Sequence, residues 1–151
     1  GYDSQEILDE LPDTLKLELQ IHLTRSIIQK VPLFKHAEDK MITEIVSKLT
    51  ASIFTPGDTI FYHGDIGDTI YFINRGAVEI LSADESTVYS TLSEGSFFGE
   101  VALLLEQPRN ATVRAVDFCN LYSLDNTTFK KIISHFPEFE REVRLMAQQR
   151  S

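Results

Sequence analysis

The sequence predicts an α+β fold: an antiparallel β-roll, jelly-roll-like and barrel-shaped, flanked by N-terminal and C-terminal helices. Three observations carry that prediction. Before residue 50, apolar residues recur at helical spacing between Pro12 and Pro32 and again after Ala37. From Ser52 to Ser123, short runs of β-branched and aromatic residues alternate with glycine-containing turns. After Asp125 the helical period returns.

Taken in order, Ser4 caps a short helix through Leu11, with Asp3 as the rival cap, and Pro12 breaks it. A second helix starts at Asp13 or Thr14 and carries Leu15, Leu19, His22, Leu23, Ile27 and Ile28 along one stripe. Pro32 ends it, and a third helix begins near Ala37 with Met41, Ile45, Val46 and Leu49 on one face. Strands are expected at Ser52–Thr55, Thr59–Tyr62, Thr69–Asn74, Ala77–Ser82, Val88–Leu92, Thr112–Val116 and Asn120–Ser123. Asp125 then caps a helix with Phe129, Ile132, Ile133 and Phe136 inward. Pro137 interrupts, and Glu138–Arg150 continues as a polar helix with Phe139, Val143 and Met146 on one side.

The 151 residues suffice for one domain, and 42% hydrophobic with 25% charged residues is an ordinary globular balance. A net charge of -9 argues against a nucleic-acid surface, which needs clustered Lys and Arg, and against anionic lipid. No apolar run approaches the ~18–20 residues of a membrane span, so direct membrane insertion of this segment is not expected. Cys119 is the single cysteine and reads as a small buried hydrophobe. His22, His36, His63 and His135 are scattered without metal-ligand spacing, so neither a metal nor another cofactor is expected. The opening Gly1-Tyr2 reads as the edge of a piece of a longer chain.

One stretch does not fit a strand-rich section. Gly99 to Leu105 holds good helix formers after a glycine, enough for about two helical turns. The start of a helix offers unpaired N–H groups and partial positive charge, where an anion can sit, and Gly99 lets the backbone approach closely. Pro108 ends the run and Arg109 follows at once, aimed at the same space, with a fork that matches two phosphate oxygens. Glu100 would repel a phosphate, but it suits a ligand that also carries a hydroxyl donor, as a ribose does. One monoanionic phosphate plus one sugar hydroxyl fits these three residues.

The stretch "FFGEVALLLEQPRNATVRA" resembles the phosphate-binding cassette of the cyclic nucleotide-binding domain family, and "PGDTIFYHGDIGDTIYFINRGAVEI" resembles that family's first strands and glycine turns. The resemblance covers about residues 33 to 150. It implies that Gly99 and the N–H groups of Glu100 and Ala102 hold the cyclic phosphate, within a cassette that also includes Phe98, Val101 and Ala111. It implies that Arg109 pairs with the exocyclic oxygens and that Glu100 holds the ribose 2′-hydroxyl. The base would lie against Ile80, Val88 and Ser90 and under the last helix, where Arg150 matches an arginine that reaches the purine in channel members. Asn110 stands where channel members often carry Thr or Ser that favours cGMP, so the ligand is expected to be cAMP in preference to cGMP.

"ILDELPDTLKLELQIHLTRSIIQKVPLF" is similar to the end of the C-linker of cyclic nucleotide-gated and hyperpolarisation-activated channels. On that resemblance residues 1–35 are the end of a C-linker-like segment and 36–151 the cyclic nucleotide-binding domain. The expected function is a non-enzymatic, cytoplasmic sensing domain of a membrane cation channel, of the potassium-conducting kind. Its partners would be the cyclic nucleotide and the rest of the channel polypeptide, in a homotetramer when intact and a monomer as this piece. The alternative is a cAMP-binding regulatory domain of a kinase or transcription regulator.

Overall fold

The structure, a computed structural model, describes residues 10–150, Arg150 by its backbone only. The helix expected from Ser4 lies outside the described residues apart from Glu10 and Leu11. Helix α1 (Asp13–Gln29) follows Pro12, a 3-10 turn spans Pro32–Phe34, and α2 covers Asp39–Lys48. Ten strands come next: β1 (Thr50–Phe54), β2 (Thr59–Phe61), β3 (Ile66–Gly67), β4 (Thr69–Arg75), β5 (Ala77–Leu81), β6 (Val88–Ser93), β7 (Phe97–Phe98), β8 (Gln107–Pro108), β9 (Thr112–Ala115) and β10 (Cys119–Asp125). Helices α3 (Asn126–Ile133) and α4 (Pro137–Arg150) complete the described chain.

All strand pairings are antiparallel. One sheet runs β1-β10-β4-β7, a second β2-β9-β5-β6, and β3 with β8 forms a two-residue ribbon. The predicted α+β roll is therefore present as two four-stranded sheets. Among the described residues their hydrogen bonding does not join them into a closed barrel. All seven expected strands form, with ends shifted by up to two residues.

The sheet containing β4 and β10 is buried on both faces, which explains the unbroken apolar run Ile70-Tyr71-Phe72-Ile73. Side chains alternate across a strand. Ile70, Phe72, Tyr122 and Leu124 face the helices, joining Ile28, Phe34, Ile45 and Phe129 in one core. Ile73, Cys119 and Leu121 face the other sheet, joining Val78, Phe98 and Val113 in a second. A fully buried side chain such as Phe72 contributes about 1.5–3 kcal/mol relative to exposure.

The helix-side core sets which face of α1 turns inward, and it matches the expected stripe only at the C-terminal end, at Ile27 and Ile28. Thr24, Ile27 and Ile28 are buried, whereas Leu15, His22 and Leu23 are exposed. One turn before Thr24, the exposed Gln20 ties the helix to the sheet: its Nε2 donates to the Tyr122 hydroxyl at 2.8 Å. Thr24 is accommodated in the core because its hydroxyl donates to the Gln20 carbonyl one turn back, at 2.7 Å. Asp125 caps α3 as expected, its carboxylate accepting from the Thr128 N–H at 2.7 Å. Pro137 does not merely interrupt: it opens α4, where a missing N–H is harmless.

Candidate functional site

The misfit stretch folds as a 3-10 turn over Glu100–Leu103, opened by Gly99 in the left-handed region with φ 83°. This corrects the expected two-turn helix. The run cannot continue past Glu106, because Gln107 and Pro108 pair with Gly67 and Ile66 across the ribbon. Only one α-type bond follows, from the Leu105 N–H to the Val101 carbonyl at 2.9 Å. The Ala102 N–H, expected to hold the phosphate, instead donates to the Gly99 carbonyl at 3.1 Å, closing the turn. Leu103 is buried among the helix-side core residues and pins the turn from within.

The ribbon fixes Arg109 at both of its backbone groups. Its N–H donates to the Asp65 carbonyl at 2.7 Å, and its carbonyl accepts from the Gly64 N–H at 2.8 Å. Its side chain folds back toward the 3-10 turn. Nη2 donates to the Thr69 carbonyl at 2.8 Å, and the guanidinium carbon sits 4.1 Å from the centre of the Phe61 ring. A Cβ built on Gly99 would lie 2.7 Å from Nη1, and one built on Gly67 would collide with the guanidinium itself. Two glycines thus leave the space the cation occupies.

Beneath Arg109 lies an aromatic group. Tyr71 and Phe98 stack with centroids 5.1 Å apart, and Phe61 meets them at 6.1 and 5.9 Å. Burial pulls the Arg109 pKa below its ordinary value, while Tyr71, Asp68 and Asp65 act against that. Burial in the same cluster raises the Tyr71 pKa, opposed by Arg109 and reinforced by Asp68. A guanidinium stays charged through such shifts, so the site holds a partly desolvated cation with most of its five donors uncommitted among the described residues.

The sequence-predicted residues fall into three groups. Phe98, Gly99, Glu100, Val101, Ala102 and Arg109 gather around the 3-10 turn. The half-buried Glu100 lines a cavity of about 120 Å³ with Pro32, Leu33, Leu104 and Met146. Asn110, directly after Arg109, is exposed, and Ala111 is buried. Ile80 and Ser90 are register partners in the second sheet, where Ile80 packs on the cluster containing Phe98. Val88 is exposed at the start of β6. Arg150 ends α4, and its side chain lies outside what the structure describes.

Sequence reasoning missed Phe61, Gly67, Thr69 and Asn126. Gly67 read as a turn glycine, yet its φ is not positive; it is needed for the close approach of Arg109. Asn126 sits behind the expected cap, Asp125, and its own side chain reaches the Leu103 carbonyl.

With this geometry in view, the family profile "Cyclic nucleotide-binding domain" matches residues 52–136, more than half of the chain. Curated relatives share about a third of their residues with it. The potassium/sodium hyperpolarization-activated cyclic nucleotide-gated channel 3 of Homo sapiens is 34% identical over 149 residues, covering 99% of this chain and 19% of the relative. Channel 1 of Oryctolagus cuniculus is 35% identical over 146 residues, covering 97% and 16%. Channel 4 of Rattus norvegicus is 35% identical over 149 residues, covering 99% and 12%. The chain thus spans less than a fifth of the length of these relatives. The match runs through the glycine-opened turn and Arg109, and on it this chain belongs to the cyclic nucleotide-binding domain family, whose members sense ligands rather than catalyse reactions.

Proposed function

We propose that this chain binds a 3′,5′-cyclic nucleotide, cAMP in preference to cGMP, at the turn Gly99–Leu103 and Arg109. The observation that carries the reading is the placement of the Arg109 guanidinium against Gly99, with only Nη2 committed to the Thr69 carbonyl. The remaining donors suit the two exocyclic oxygens of a cyclic phosphate, bidentately. The first N–H groups of a helical turn lack acceptors within it, which supports the assignment of Gly99 and Glu100 to the same phosphate. Glu100 would accept from the ribose 2′-hydroxyl. Ile80, Val88, Ser90, Asn110 and Arg150 would meet the base, and the lack of a hydroxyl at Asn110 favours cAMP.

In the intact protein, by analogy with the named channels, ligand binding would regulate a tetrameric cation channel from the cytoplasmic side of its membrane. Residues 1–35 would continue a linker toward the pore, and residues 36–151 would form the binding domain. The ligand shifts such an equilibrium only through its differential affinity for two arrangements of the helices, typically ~1–3 kcal/mol of coupling. Helix α4 is the element suited to that movement, because among its described side chains only Phe139 and Val143 are buried. Among the described residues no helix is long and apolar enough to cross a membrane.

Isothermal calorimetry tests the reading. The wild-type chain should bind cAMP, and Arg109→Glu should abolish the heat. A competition in which cGMP displaces cAMP at lower concentration would reverse the preference, and equal heats for wild type and variant would remove Arg109 from the site.

A further inference from the structure

A buried carboxamide links the candidate anion site to the C-terminal helices. Asn126, the first residue of α3, is 5% exposed. Its Nδ2 donates to the Leu103 carbonyl at 2.7 Å, at the far end of the 3-10 turn. Its backbone N–H donates to the Asp68 carbonyl, also at 2.7 Å. Asp68 immediately precedes Thr69, whose carbonyl receives Arg109. One residue therefore fastens both sides of the site: the turn that opens at Gly99 and the segment that holds the guanidinium.

We propose that Asn126 is a positioning residue for the anion site, setting the turn Gly99–Leu103 against Arg109 from the start of α3. This rests on the reading of that site as a cyclic-nucleotide site. The physical reasons are specific. A carbonyl in a buried environment needs a donor, and the Asn126 Nδ2 supplies it to Leu103. A 3-10 turn of four residues has too few internal bonds to hold its own orientation, so external anchors decide where its N–H groups point. The Leu103 side chain supplies the apolar anchor, and Asn126 supplies the polar one, to the same residue. Asn126 touches no part of the proposed ligand pocket directly; it acts through the turn.

The discriminating variant is Asn126→Asp, which keeps the shape but places an acceptor against the Leu103 carbonyl. Asn126→Leu, with the same heavy-atom branching but no polar atoms, serves if the first does not fold. Ile132→Val, further along the buried face of the same helix, controls for general destabilisation. Each is checked by circular dichroism and melting without ligand, then titrated with cAMP by calorimetry at a temperature where it is folded. Backbone amide NMR of Gly99 and Glu100 gives a readout that mere loss of stability leaves in place. The expected result is a roughly tenfold weaker cAMP affinity in the Asn126 variant, the cost of a lost buried hydrogen bond. It should come with shifted Gly99 and Glu100 signals, while Ile132→Val melts earlier and binds normally. A folded Asn126 variant that binds within about twofold of wild type overturns the proposal. So does an equal affinity loss in Ile132→Val, and so does the failure of both Asn126 variants to fold, which makes the residue structural only. If the wild type itself does not bind cAMP, the cyclic-nucleotide reading fails and this proposal with it.

Discussion

Gly67→Ala should separate ligand affinity from stability, because of what stands over Gly67. An added Cβ collides with the Arg109 guanidinium and lies 2.7 Å from its Cδ. Gly67 has no positive φ, so alanine's backbone fits without strain, and the flexible arginine is what must move. Moving it forfeits the Nη2 bond to the Thr69 carbonyl, worth about 1.5–3 kcal/mol for a charged group. It also forfeits the contact over Phe61, about 0.5–2 kcal/mol. Two gains offset these: hydration of a half-buried cation, and the roughly 0.4–1 kcal/mol that alanine contributes by narrowing the unfolded ensemble. A net destabilisation of about 1–2 kcal/mol follows, a fall of roughly 2–8 °C in melting temperature at this chain length. The ligand loses more. If Arg109 gives two charge-assisted bonds to a cyclic phosphate, their removal costs about 3–6 kcal/mol, more than a hundredfold in affinity. Differential scanning fluorimetry and calorimetry with cAMP, on the same preparation, test both halves. Wild-type affinity in Gly67→Ala would refute the reasoning that this glycine exists to seat Arg109.

Phe139→Ala should release α4 while the sheets persist. Phe139 stacks on Phe34 with centroids 6.4 Å apart and meets Phe129 edge-on at 6.5 Å, and truncating a buried phenylalanine costs about 3–5 kcal/mol. Hydrogen exchange should show lost protection over residues 137–150 with the β4 and β10 amides still slow; unchanged protection in α4 would contradict this. Asp84 gives a pH prediction. Hydrogen bonds from the Ser86 hydroxyl and N–H and from Ser82 lower its pKa from 3.8 to about 2. A depressed carboxyl contributes above its unfolded pKa, so the ordering of the Ser82–Ser86 turn should be complete above about pH 4 and fade as the pH falls toward 2. Carboxyl NMR of Asp84 checks it, and an unshifted titration near 3.8 would count against the hydrogen bonding described.

How much of this fold was legible depended on how far apart the interacting residues stand in sequence. The seven longer strands were legible because each carries its own period and its own turns. The pairs Ile66–Gly67, Phe97–Phe98 and Gln107–Pro108 were not, since two residues cannot display a period and only pairing defines them. The α1 stripe was misjudged for a different reason. Its inward face includes Thr24, a polar residue made acceptable by a bond to the carbonyl one turn back, and an apolar count passes over it.

The candidate site divides along the same line. Gly99, Glu100 and Arg109 lie within one short stretch, so their spacing alone suggested a phosphate and a sugar hydroxyl. What aims them comes from elsewhere. Gly67 and Thr69 meet Arg109 from some 40 residues upstream, Phe61 lies beneath it, and Asn126 reaches Leu103 from 23 residues downstream. The helix-former reading of Gly99–Leu105 failed because it weighed local propensity without the ribbon, which requires Gln107 and Pro108 to be extended. The ribbon also holds Arg109 at both backbone groups, so the pairing that shortens the turn is the one that returns the arginine to its start. A 3-10 turn in place of a longer helix is thus a consequence of how the cation is delivered. Any change that extended the helix into Gln107 and Pro108 would unpair the ribbon and carry Arg109 away from Gly99.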